Sequence, residues 1–190
     1  MLQHTWDRAD QLSHPNCKIT VVEKPYLHET CTQLEGRVPG TIITEPRHRG
    51  MVVSLFLALT YLLEKEPQAL VVAYPSDHFV YPEDVFLKTI QRSIWSTERF
   101  NDHVFMIGAA ESSHQTPGGS IALDQQLGWI YGIPVYGVRD LSHESSLEME
   151  NESFPPTQYL SNTSVLTAKV EVLWDLGCQH LPHMMESSDE

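Results

Sequence analysis

Short apolar runs alternate along this chain with segments of helical period, a pattern that predicts an α/β architecture. Leu2 to Leu12 has the spacing of an amphipathic helix. Lys18 to Val22 reads as a buried strand, Tyr26 to Leu34 as a short helix and Gly40 to Thr44 as the next strand. Met51 to Lys65 is apolar on nearly all sides, which predicts a helix packed within the protein. Ala69 to Tyr74 is a central strand. The segment from about Pro82 to Arg99 follows as a helix, with proline in its first turn and Glu83 and Asp84 beside its positive end. Val104 to Ala109 is another strand. Ile130 to Val138 is strand-like, and Pro134 within it points to an edge or a bulge. Ser142 to Ser153 is rich in Ser and Glu without periodicity and reads as a solvated or mobile loop. Thr167 to Leu176 closes the pattern as a helix with Gly177 as its stop, leaving 184–190 as a tail. No internal repeat is visible. The expectation is a single domain over 1–190, with a mainly parallel sheet and helices on both faces.

Composition narrows the function classes. The chain has 190 residues, within the one-domain range, and 41% apolar content, enough for a core. A net charge of −13 argues against nucleic-acid polymers, whose binding relies on Lys and Arg neutralising phosphates. A mononucleotide stays compatible, because a few local groups and a cation can hold one. Cys17, Cys31 and Cys178 have no metal spacing and an odd count, and read as reduced thiols of a cytoplasmic protein. The longest apolar stretch, Met51 to Leu63, is shorter than the ~20 residues a membrane helix needs. No charged-then-apolar leader precedes it, so neither a membrane nor secretion is expected.

The candidate chemistry centres on Tyr74-Pro75-Ser76-Asp77-His78-Phe79, directly after the apolar run Ala69 to Ala73. Ligands of open α/β sheets bind at the carboxyl ends of strands, and Asp77 stands at such an end. A carboxylate there suits Mg²⁺, which takes one or two carboxylates and leaves other positions to phosphate and water. The same Pro, Ser and Asp also suit a helix-capping turn. His78 is either an orienting partner for Asp77 or a packed histidine. Arg47, His48 and Arg49 form a small basic cluster, fit for a phosphate or for solvent. His180 and His183 share a helical face, a spacing seen in zinc sites, but Pro182 interrupts and no third ligand is near. Gly118-Gly119 reads as a hairpin turn. Asn151-Glu152-Ser153 and Asn162-Thr163-Ser164 match the glycosylation pattern, without consequence in a cytoplasm. Ser76 has no recognisable His–Asp arrangement.

Taken in order, Thr41-Ile42-Ile43-Thr44-Glu45-Pro46, Arg49, the long apolar helix and Val71 to His78 resemble the sugar-1-phosphate nucleotidyltransferases. Within them the pattern is most similar to mannose-1-phosphate guanylyltransferase, with its Glu-Pro strand end, Arg-led helix start and Pro-Ser-Asp-His segment. Asn162 to Leu166 with Leu173-Trp174-Asp175-Leu176-Gly177 resembles the family's Trp-Asn-Ser/Thr segment and the helix after it. Met1 to Ala9 resembles the family's first helix.

The resemblance implies a Rossmann-like nucleotide-diphospho-sugar transferase fold that is incomplete, because the first strand and its Gly-Gly-x-Gly-Thr-Arg-Leu loop are missing. By that measure the chain is a partial domain, truncated at both ends, and as such is expected to be inactive. The family's Asn/Asp-Thr-Ala-Pro after Arg49 is Gly50-Met51-Val52-Val53 here, and the Trp before Asn162 is Ser161. The sugar-loop glutamate and aromatics have no counterpart in Pro117 to Ile121. The implied partners are GTP and a sugar-1-phosphate, with Mg²⁺ as cofactor. Asp77 would hold the metal, Glu45, Arg49 and Asp77 the nucleotide, and Asn162 the sugar phosphate. A sheet without its first strand would also leave an exposed edge open to self-association. The competing reading is a non-catalytic remnant or interaction module that keeps the fold.

Overall fold

The computed structural model describes residues 1–110, 119–142 and 159–186. The chain opens with helix α1 (Leu2–Ala9), then strand β1 (Ile19–Glu23), helix α2 (Leu27–Gln33) and strand β2 (Thr41–Glu45). Helix α3 (Met51–Lys65), strand β3 (Leu70–Ala73), helix α4 (Glu83–Arg99) and strand β4 (Phe105–Ala109) follow. A hairpin of β5 (Ser120–Ile130) and β6 (Ile133–Ser142), strand β7 (Tyr159–Lys169) and helices α5 (Val170–His180) and α6 (Pro182–Glu186) complete the described chain. Up to β4 these elements match the apolar pattern to within a few residues, because each is bounded by its own Pro, Gly or charge cluster. None of the described helices is long and apolar enough to cross a membrane.

The sheet arrangement differs from the mainly parallel expectation. Only β1 and β2 pair in parallel, from Ile19↔Thr41 to Glu23↔Glu45, and they form a sheet of their own. The other sheet is antiparallel throughout and is organised around β7. Strand β4 takes one edge of β7, while β3 and β5 share the other, since β4 and β5 both pair with Ser161. Strands β3 and β4 therefore run parallel to each other, but β7 lies between them and reverses the ladder. β7 carries many Ser and Thr residues, so it gave no apolar run to read as a strand. Its last residues, Thr167 and Ala168, are fully buried as strand, and the helix begins only at Val170.

Gly177 does not stop that helix. It lies within α5, where an added Cβ would stand 2.2 Å from Cε1 of Phe56 and 3.1 Å from Sδ of Met185. The missing side chain lets α3 and α6 pack directly on α5. Met185, expected in a tail, is buried in the core for the same reason. The Ile130–Val138 segment is likewise two pieces. Tyr131 and Gly132, with φ of 50° and 80°, make the left-handed pair that a tight hairpin requires, and Pro134 sits on edge strand β6. Within the 142–153 segment only Ser142 is described, as the end of β6; 143–153, Asn151 and Gly118 lie outside the described residues.

Helices cover both faces of the antiparallel sheet, as expected. On one face Phe56 and Leu59 of α3 meet Ala168, Val170 and Leu173, with Val71 packed against them. On the other, Ile90 of α4 meets Ile107 and Val165, with Leu12, Val72 and Tyr74 alongside. Adjacent Val71 and Val72 thus point to opposite cores, as successive strand residues must. A buried hydroxyl cluster ties α4 to β7. Thr167 Oγ1 shares hydrogen bonds with Ser93 Oγ and, at 2.9 Å, with Thr97 Oγ1.

Candidate functional site

Helix α3 runs back from the carboxyl end of β2 to the amino end of β3. The carboxyl ends of β2 and β3 therefore share one side of the molecule, as a parallel crossover requires. β7 runs opposite to β3 and β4, so its early residues, Ser161 and Asn162, lie beside Ala109 and Gly108 on the same rim. The rim thus gathers three regions: Glu45 to Gly50 after β2, Tyr74 to Pro82 after β3, and Asn162 to Ser164 in β7.

The Tyr74–Pro82 segment is held from beneath by α1. Thr5 Oγ1 donates to the carbonyl of Ser76 at 3.0 Å, and Arg8 Nη2 donates to the carbonyl of His78 at 3.2 Å. Arg8 is 3% exposed, also donates to Thr5 Oγ1 at 2.8 Å, and lies 3.7 Å from Glu83. Bonds to a charged donor are the stronger kind, so this cation fixes the loop's path. Asp77 itself is exposed on the solvent side of that loop. His78 is half-buried and lines a cavity of about 320 Å³ with Phe86, Thr89, Gly108 and Thr163. Phe79 and Tyr81 stand at its mouth, 82% and 85% exposed.

Tyr74, at the root of this loop, is buried enough to push its phenol up to about 12. A raised acid favours the neutral form in the folded state. Its contribution is intact below about pH 10, the usual tyrosine value, and is lost as pH rises toward about 12. Tyr74→Phe removes that linkage. Alkaline unfolding of the variant should fall off less steeply in this window, a difference that pH-dependent urea midpoints would measure.

Glu45 also lies on the rim, but it is buried and both its oxygens are engaged. Ser54 Oγ donates to Oε2 at 3.1 Å, and His48 Nδ1 lies 3.0 Å from Oε1. It thereby clamps the turn that carries Arg47 and Arg49, both exposed, to the first turn of α3. Asn162 is half-buried. Its Oδ1 accepts from the Ser164 N–H at 2.8 Å, closing a local turn where β7 bulges against β4. Ser164 takes a left-handed φ of 55° there, and Thr163 Oγ1 donates to the Ile107 carbonyl.

The structure therefore brings Asp77 and Asn162 to one sheet's rim, and sets Glu45 and Arg49 at the same end of the separate β1–β2 sheet. His180 and His183 fall on either side of the α5–α6 break, and among the described residues no three potential ligands cluster. Sequence reasoning missed Arg8, Thr5, Thr163 and the cavity. Phe79 and Tyr81, two aromatics in a turn-like segment, were the readable signal for it.

Comparison with protein-family models and with curated proteins finds no match. Comparison with solved structures does. A Thermus thermophilus protein described as mannose-1-phosphate geranyltransferase superposes with a TM-score of 0.81 at 18% identity, over 99% of this chain and 52% of that one. The fold is nucleotidyltransferase-like. A Helicobacter pylori protein described as mannose-6-phosphate isomerase gives 0.79 at 15% identity, over 99% of this chain and 70% of its own. A CMP:2-keto-3-deoxy-manno-octonic acid synthetase complexed with CTP gives 0.60 at 12% identity, over 93% of this chain and 66% of its own. This chain thus spans about half the length of the Thermus protein. At these identities the likeness is one of fold, and the rim is the part of this nucleotidyltransferase-like fold where ligand chemistry must be sought.

Proposed function

We propose that this chain carries the nucleotide- and sugar-phosphate-binding part of a sugar-1-phosphate nucleotidyltransferase of the mannose-1-phosphate guanylyltransferase kind. The observation that carries the reading is the exposed Asp77 at the end of β3, on the same rim as the cavity and the Asn162 turn. In such a reaction a phosphate oxygen of the sugar-1-phosphate attacks the α-phosphorus of GTP. The new P–O bond forms as the bond to pyrophosphate breaks, giving GDP-mannose. This chemistry depends on positioning and charge neutralisation rather than on a protein nucleophile.

Each residue has a part consistent with its surroundings. Asp77 is a free oxygen donor suited to Mg²⁺, whose other positions phosphate and water would fill. When bound, the ion would offset the charge of the phosphates. Arg49 offers a planar, permanently charged donor set to a phosphate or a base edge. Glu45 positions that arginine's turn. Asn162 spends Oδ1 on its own turn, which leaves the Nδ2 donors for a sugar or phosphate oxygen. Phe79 and Tyr81 at the cavity mouth supply apolar faces for a ring.

These 190 residues contain no glycine-rich strand-to-helix loop to cradle a triphosphate. Binding is therefore the direct test, with turnover expected far below the ~10 s⁻¹ typical of enzymes. A fluorescent GTP analogue titrated with Mg²⁺ should bind, and chelation should release it. Sugar-1-phosphate should perturb the Phe79 and Tyr81 resonances. Failure of both would reduce the chain to a scaffold that keeps the fold without the site.

A further inference from the structure

The two sheets stand side by side without joining. β1 pairs only with β2, and β3 pairs only with β7, so among the described residues each keeps one edge without a strand partner. Two helices cross from one sheet to the other. On α3, Ser54 and Tyr61 bond Glu45 and Thr41 of β2, while Phe56 and Leu59 pack in the core beneath β7 and α5. On α1, Thr5 holds the segment after β3, and Trp6 Nε1 donates to the Val38 carbonyl before β2. Trp6 also takes Lys18, at the head of β1, over its ring at 4.7 Å.

The sheets are thus held side by side with an open channel between β1 and β3, walled by helices. The burial pattern agrees. Ile19 to Glu23 and Leu70 to Ala73 are all only half-buried, although they form apolar strands between helical layers. Strands in that position are normally buried on both faces.

We propose that this channel receives one extended, uncharged, apolar segment of a separate polypeptide, joining the two sheets into one. The chemistry selects the occupant. Each wall presents a row of backbone N–H and C=O groups, and only another extended backbone can satisfy both rows together. The faces above and below are helical and apolar, which calls for Val-, Ile- or Leu-rich residues on both sides of the inserted strand. β1 has five residues and β3 four, so a segment of about five residues, roughly 17 Å long, spans the walls. A second copy of this chain fits poorly, because its described strands are already built into sheets flanked by helices. The inference concerns the scaffold beneath the rim and is independent of the ligand reading.

The test uses the full chain and a capped peptide, Lys-Val-Ile-Val-Ile-Val-Lys, with a backbone N-methylated version as control. Amide exchange should slow together at 19–23 and 70–73, about a hundredfold when free peptide stands about a hundred times above its Kd. The N-methylated peptide should leave both segments unprotected. Protection confined to the outer strands β2 or β6 would be ordinary edge pairing and would overturn the proposal. So would the absence of protection. Protection of 19–23 and 70–73 that rises with the chain's own concentration, without peptide, would assign the channel to a second copy and overturn it equally.

Discussion

Asp77→Asn should weaken Mg²⁺-dependent binding of a GTP analogue about a hundredfold while leaving the unfolding midpoint unchanged. The variant keeps the shape and an oxygen but removes the charge that a hard cation needs. Unit charges about 4 Å apart interact by about 1 kcal/mol in water and about 4 kcal/mol near a protein surface, which brackets the loss between about fivefold and a thousandfold. The fold should be indifferent, because Asp77 is exposed and its loop is held through the carbonyls of Ser76 and His78. Fluorescence titration with and without Mg²⁺ separates the outcomes. Equal affinity for both proteins would assign Asp77 to the turn alone. A parallel fall in stability would do the same.

Gly40→Ala should destabilise the chain by about 3 kcal/mol, a large share of the ~5–15 kcal/mol typical of a domain. Gly40 has a φ of +60°, and an added Cβ would lie 2.3 Å from the Lys18 carbonyl oxygen. That oxygen accepts the Thr41 N–H at 2.8 Å and opens the β1–β2 ladder. A left-handed backbone costs an L-residue about 1–2 kcal/mol, and displacing the carbonyl forfeits about one hydrogen bond, near 1 kcal/mol. Gly36 has a φ of +78° with open space around it, so Gly36→Ala isolates the backbone part. Urea midpoints for both variants at unchanged m-value would check the difference. Equal losses would show that the Lys18 contact yields without cost.

The site was legible in parts. Asp77 was readable because a Pro-Ser-Asp turn after an apolar run marks a strand's carboxyl end whatever the strand pairs with. Glu45 was readable as a residue on the rim. Its engagement with Ser54 and His48 was not, since that depends on the turn of chain between Glu45 and α3. Asn162 stood out through its motif, but its turn exists only because β7 bulges where it meets β4. Arg8 looked like one charge on an amphipathic helix. Only packing buried it beneath His78 and made it the anchor of the Asp77 loop.

By itself the sequence determined the local elements from α1 to β4, since apolar period, prolines and charged ends act over a few neighbours. It also determined the α/β class, the low affinity expected for nucleic-acid polymers and the place of Asp77 after β3. Tertiary structure alone decided the rest. Strand β7 carries too many hydroxyls to be recognised, and becomes buried only because Ser93 and Thr97 answer Thr167 from α4. Its antiparallel insertion between β3 and β4 turned an expected parallel sheet into two sheets of different kinds. Gly177 looked like a helix stop because glycine often is one, yet Phe56 and Met185 needed the space where its side chain would have been. In each case the deciding partner lies far away in sequence, and pairing or packing at that distance leaves no periodic trace in the segment itself.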